Sequence, residues 1–147
     1  MRALLQRVSE ARVTVADEVV AQIGPGSLVF LGVKQSDKRA DAEYLAKKVT
    51  GLRIFPDENG KNNLSLADIE GGLLIVSQFT LYADTQRGNR PSYAQAAGAE
   101  LAKPLYDHFV QCCESICPNV QTGVFQAQMR ISLVNEGPIT ILCSSDL

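Results

Sequence analysis

A single histidine, His108, stands in a chain of 147 residues, and that scarcity removes whole classes of chemistry. Ser/His/Asp and Cys/His nucleophilic systems need an imidazole, and the one available lies in DHFVQCC, a helical context where a packing or surface role is the ordinary one. Excess charge is lacking too: sixteen acidic against fourteen basic residues give a formal charge of −2. No broad basic field draws nucleic acid and no acidic tail points to disorder, so an RNA partner would be met locally. No segment reaches the roughly 18 uncharged apolar residues of a membrane span. The opening MRALLQRVSEARVTV is interrupted at Arg2, Arg7, Glu10 and Arg12, which denies it the apolar stretch of a signal peptide. A cytoplasmic protein without a membrane partner is expected. The four cysteines, Cys112, Cys113, Cys117 and Cys143, form no CxxC pair and no zinc-like spacing with His108. They read as small buried hydrophobes of a reduced compartment, with no metal site. GPG at 24–26 and GG at 71–72 lack the spacing of phosphate- or dinucleotide-binding loops, so no nucleotide cofactor is expected.

What is there is a chain 46% hydrophobic and 20% charged, enough for one domain over residues 1–147 with one core. Short apolar or alternating runs at 3–8, 12–15, 19–23 and 28–33 predict strands joined by tight turns. SDKRADAEYLAKKVTG changes period, with Ala42, Leu45, Val49 and Leu52 at helical spacing behind a Ser36 or Asp37 cap. A short strand at 53–55, a polar turn PDENGKNN, and a buried strand over 72–80 follow. Residues 83–92 form a long loop. Leu101, Leu105, Phe109 and Ile116 mark a second helix, in which Pro104 predicts a late start or a kink. Strands at 124–134 and 139–143 around NEGP complete a mixed α and β order with much antiparallel pairing.

The informative stretch is SQFTLYAD. Alternation along a strand would set Ser77 and Phe79 on one face and Gln78 and Thr80 on the other. An amide, a hydroxyl and free backbone N–H groups at a strand end are suited to polarising an ester carbonyl or holding its oxyanion. They are equally suited to satisfying a sheet edge, and spacing alone leaves both readings open. In RGNRPSY, Arg87 and Arg90 are suited to phosphate, although solvated loop charges are commoner. On the first helix Lys38, Arg39, Lys47 and Lys48 form a basic stripe diluted by Asp37, Asp41 and Glu43. NEGPIT, taken alone, is a turn.

SQFTLYAD at 77–84, then RGNRPSY, and NEGPIT at 135–140 together closely resemble the D-aminoacyl-tRNA deacylase family. The likeness extends to MRALLQRVSEARVTV, GLRIFPDENGKNN and QTGVFQAQMRISLVN, nearly the whole chain. It implies an α/β single domain with a mixed, largely antiparallel, barrel-like sheet and two main helices packed outside. It also implies hydrolysis of the ester between a D-amino acid and the acceptor end of tRNA, and of glycine misattached to a non-cognate tRNA. A homodimer is implied, with the Gly137-Pro138 peptide cis and entering the active site of the opposite subunit. Backbone carbonyls there face the α-amino group and leave room for hydrogen or a D side chain but not an L side chain. Ser77, Gln78, Phe79 and Thr80 would floor the catalytic pocket, with Phe125 and Met129 on the adenosine side and no cofactor. Thr80 as nucleophile has no evident activating base, which favours a route in which the neighbouring ribose hydroxyl helps activate water. The competing reading is a non-catalytic module that binds an RNA end; it lacks support from RNA-binding aromatic signatures or a basic face.

Overall fold

The computed structural model describes residues 1–146. Its spine is β1 (Arg2–Val15), which pairs along one edge with β8 (Arg130–Ser144) and along the other with two strands in succession. The first half of β1 is met by β3 (Gly26–Gly32) and the second by β2 (Glu18–Ile23), all antiparallel. β3 then continues in parallel to β6 (Gly72–Ser77), and β6 to β7 (Val120–Thr122). The result is a mixed, nearly closed barrel. A separate hairpin, β4 (Phe55–Pro56) with β5 (Asn62–Leu64), brackets the polar turn.

Strand alternation sorts the core into two layers. Val29, Leu31, Leu73 and Ile75 point to one side, where α1 (Arg39–Gly51) and α2 (Ala99–Glu114) cover them with Leu45, Val49, Leu105 and Phe109. Leu28, Leu74 and Val76 point to the other and meet Val8, Val13 and Ile23. Parallel β3 and β6 approach so closely that a Cβ on Gly26 would lie 1.9 Å from the Gly72 carbonyl oxygen; only glycine starts that strand.

Several expectations are corrected. The runs at 3–8 and 12–15 are one strand, since after an irregularity at Ser9 the ladder resumes at Glu10 and Ala11 opposite β8, with Ala11 also opposite β2. The cap of α1 is Lys38, whose N–H donates to the Asp41 carboxylate at 2.8 Å. Asp37 is otherwise engaged: its buried carboxylate accepts from the Met1 ammonium at 2.6 Å and from the Lys34 N–H at 2.8 Å. The late start of the second helix does not occur, because α2 begins at Ala99, ahead of Pro104. The short strand at 53–55 begins only at Phe55, and β7 was not foreseen. NEGP is not a turn between strands but a bulge within β8. Val8 sits opposite Asn135 and Gln6 opposite Thr140, so residues 136–139 are extruded while pairing with β1 resumes on either side.

Three of the cysteines are buried and the fourth, Cys112, half-buried; burial pushes the Cys113, Cys117 and Cys143 thiols up, away from reactive thiolate. No helix among the described residues is long and apolar enough to cross a membrane.

Candidate active site

β6 makes its last rung with β3 through the Gln78 N–H on the Leu31 carbonyl at 2.8 Å, and the chain then leaves the sheet in one turn of 3-10 helix, Phe79–Tyr82. The turn is held by the Leu81 N–H on the Gln78 carbonyl and the Ala83 N–H on the Thr80 carbonyl. The alternation expected through Thr80 therefore stops at Ser77. The Gln78 amide instead donates to the Thr80 hydroxyl, and Phe79 is 55% exposed, edge-on to Tyr93 with ring centroids 5.1 Å apart.

Beside this strand end opens a cavity of about 500 Å³. Ser77, Gln78 and Phe79 form one wall, Phe125, Gln126, Ala127, Met129 and Ile131 another, and Ala97, Ala99 and Ala102 a third. Five of the residues singled out from the sequence thus meet: Ser77, Gln78, Phe79, Phe125 and Met129. Phe125 and Met129 lie on the connection before β8, not on a strand as expected. The Gly123 Cα faces the Met129 sulfur so closely that an added Cβ would stand 2.7 Å from it, which fixes where the methionine lies. The alanines escaped notice in the sequence. Their signal is AQAAGAELA, small residues at the start of α2 that leave space beside a helix terminus, whose unpaired N–H groups carry partial positive charge.

Among the described residues the cavity wall carries no carboxylate, imidazole, thiol, ammonium or guanidinium. Its chemistry is amide, hydroxyl, backbone dipole and hydrocarbon. Such a wall can orient and polarise an ester but has no group of its own that gains or loses a proton near neutrality.

Thr80, Gly137 and Pro138 do not line it. Thr80 is half-buried behind Gln78. The Gly137-Pro138 peptide is cis and lies exposed on the β8 bulge, tied down by a residue that no motif singles out. The Arg7 guanidinium donates to the carbonyls of Ile54 at 2.5 Å, Glu136 at 3.1 Å and Gly137 at 3.4 Å. Asn135 Nδ2 completes the bulge by donating to the carbonyls of Arg7 and Ile139. Arg7 faces Ser27 across the sheet, whereas Leu31, which anchors Gln78, faces Ala3. Four residues of strand separate the two ends, roughly 13 Å.

Arg87 and Arg90 stand exposed on a loop whose ends are pinned by paired Asp84 and Ser92 backbone bonds at 2.8 and 2.9 Å, away from the cavity. His108 has a structural position, between Arg39 at 3.0 Å and Glu43 at 2.9 Å, joining α1 to α2.

Comparison with known proteins agrees with this geometry. The family model described as D-Tyr-tRNA(Tyr) deacylase matches residues 4–144. A D-aminoacyl-tRNA deacylase of Symbiobacterium thermophilum is 54% identical over 99% of this chain and 97% of its own, and one of Thermotoga petrophila 53% identical over the same shares. Among solved structures, the c-Myc DNA Unwinding Element Binding Protein superposes with a TM-score of 0.95 at 35% identity over the whole of both chains. A probable eukaryotic D-amino acid tRNA deacylase shares the fold, with a TM-score of 0.82 at 18% identity over 97% of each chain. With the strand-end cavity, the exposed Gly-Pro bulge and a family match from Leu4 to Ser144, this chain belongs to the D-aminoacyl-tRNA deacylase family.

Proposed function

We propose that this protein hydrolyses the ester joining a D-amino acid, or misattached glycine, to the terminal ribose of tRNA. Residues 1–147 act as one deacylase domain in a homodimer. The observation that carries the mechanism is the cavity wall without a titratable group. With no general base and Thr80 outside the wall, the ribose hydroxyl beside the ester activates water. The water oxygen attacks the ester carbon, Gln78 and neighbouring backbone N–H groups stabilise the oxyanion, and the C–O bond to ribose breaks. Free amino acid and a restored ribose hydroxyl leave. Positioning and oxyanion stabilisation of this kind account for several orders of magnitude in rate. Phe125 and Met129 pack against the terminal adenosine.

Chirality is read by the Gly137-Pro138 loop of the partner. Backbone carbonyls that face the α-amino group leave space on one side of the α-carbon, which admits hydrogen or a D side chain and excludes an L one whatever its identity. Two features support a shared site. The loop lies outside its own chain's cavity, and on the sheet face turned away from the helices Phe30, Leu4 and Leu142 stand in register across three strands, half-buried at Phe30 and Leu4 and exposed at Leu142. Leu142 is 57% exposed, and exposed apolar surface continuous with such a row is of the kind that marks an interface.

The test is hydrolysis of matched D- and L-tyrosyl-tRNA with glycyl-tRNA as achiral control. Rapid loss of the D and glycyl esters with the L ester spared is expected. Equal D and L rates would remove the filter. Retained tRNA binding without hydrolysis would leave a module that only holds the RNA end.

A further inference from the structure

At the C-terminal end of α1, on the side away from the core, Lys47, Lys48 and Arg53 border an open cleft of about 510 Å³ floored by Tyr44, Gly51 and Leu52. All three cations and Tyr44 are exposed. None of the three has a carboxylate within ion-pair distance among the described residues. By contrast, Lys34, Lys103 and Arg130 are each matched to an aspartate. Glu43, one turn earlier on α1, is drawn to His108. In a chain of net charge −2, three unmatched cations around one concavity form a local positive site. Lys48 Nζ stands 5.7 Å from the Tyr44 ring centroid, so an aromatic face lies among the charges, the pairing that suits phosphate flanked by ribose or base.

Position gives the cleft its significance. Arg53 precedes Ile54, and one guanidinium, that of Arg7, holds the carbonyls of both Ile54 and Gly137. The cleft therefore flanks the Gly-Pro bulge and stands apart from the cavity of its own chain. Because the bulge serves the partner's pocket, the cleft comes to the rim of that pocket with it.

The geometry points to a phosphodiester-binding cleft formed by Lys47, Lys48, Arg53 and Tyr44, which grips the acceptor-strand backbone of a tRNA whose ester lies in the partner's cavity. It rests on the deacylase reading above and adds to it the way a nearly neutral, slightly acidic protein holds a polyanion: with a few cations carried in by the subunit that also supplies the chiral filter.

The test compares wild-type dimer with the K47A/K48A/R53A variant on two esters, D-tyrosyl-tRNA and 3′-O-D-tyrosyl-adenosine, which has no phosphate. The variant's KM for the tRNA ester is expected to rise about tenfold, and the slope of log(kcat/KM) against log salt to fall in magnitude by about 2. Its kcat and its hydrolysis of the adenosine ester stay at wild-type values, which also verifies the fold. An unchanged KM and salt slope on tRNA overturn the cleft while leaving the deacylase intact. Wild-type protein inactive on both esters overturns the deacylase reading and the cleft together. In mixed dimers joining a Gln78→Ala subunit to a K47A/K48A/R53A subunit, the only competent cavity belongs to the subunit lacking the cations. Near wild-type KM supports delivery in trans, and the raised KM of the homodimeric variant overturns it.

Discussion

The two ends of the first half of β1 are built on opposite principles. At the cavity end, polar groups are locked by charge and burial. The Met1 ammonium sits on Asp37, Ser145 accepts from the same ammonium at 2.8 Å, Lys34 reaches Asp146, and Arg2 lies over the Tyr82 ring at 4.6 Å. At the Gly-Pro end the chain is exposed, and a single arginine holds neutral carbonyls. The cavity end is rigid and open, and the other exposed and held by one side chain. On the proposed shared site each end works only against a second copy, so the first way to break the contrast is to separate the copies.

Leu142→Asp places a charge in the exposed apolar row without touching the core, so the monomer should fold while deacylation falls by at least about two orders of magnitude. Sedimentation with parallel activity measurements checks it, and a fully active monomer refutes the shared site. Next in size, Asp37→Ala strands a buried ammonium and should cost about 3–5 kcal/mol. Arg7→Ala should cost about 1–2 kcal/mol yet reduce discrimination between D and L esters. Denaturant titration beside the chirality assay separates the two ends, and equal stability losses would erase their difference. Within the cavity, Gln78→Ala should lower kcat by about 10²–10³, the effect of removing one oxyanion donor. Thr80→Val, which takes away only the acceptor of the Gln78 amide, should leave substantial activity. Complete loss with binding intact would restore Thr80 as nucleophile.

The smallest effect is acid. The Lys34 contact holds the Asp146 carboxyl below its usual range. At Asp41 burial pushes upward, but hydrogen bonds from Ser145 and the Lys38 N–H outweigh it and hold the carboxyl low. Folded values below the unfolded ones mean that this stability is present above about pH 4 and lost as pH falls further. The carbonyl-bound Gly-Pro end has no such dependence. Amide exchange below pH 4 should quicken first around 34–41 and 144–146, and uniform quickening would contradict the contrast.

Legibility followed the same division. GGLLIV revealed β6 because a strand buried on both faces is a plain apolar run, and the α1 face was readable from Ala42, Leu45 and Val49. The turn after Ser77 was not, since the last rung, to Leu31, is set by a partner distant in sequence, and the apolar Phe79, Leu81 and Tyr82 that form the 3-10 turn read equally well as strand. β8 looked like two strands for a related reason: Asn135, Gly137 and Pro138 carry turn chemistry, and only β1 pairing on both sides makes them a bulge. β7 is three residues, too short to show a period, placed by parallel pairing to β6 and by Val120 packing on the core. Of the residues named from the sequence, Ser77, Gln78, Phe79, Phe125 and Met129 line one cavity. Arg7 gave no signal, because a lone cation in a strand looks the same whether it meets solvent or three carbonyls.

The continuity of β8 bears on how such a chain can vary. Met129 and Ile131, on the cavity wall, and Pro138, on the Gly-Pro bulge, lie along a single segment that from Arg130 onward is paired to β1. One inserted or deleted residue between them would turn alternate side chains to the wrong face and disturb the cavity wall and the Gly-Pro bulge at once. Length changes are tolerable in the exposed loop at 83–92, where pairing resets at Asp84 and Ser92. Between Met129 and Pro138 the strand works as a ruler, and descendants of this gene can rewrite its residues far more readily than its length.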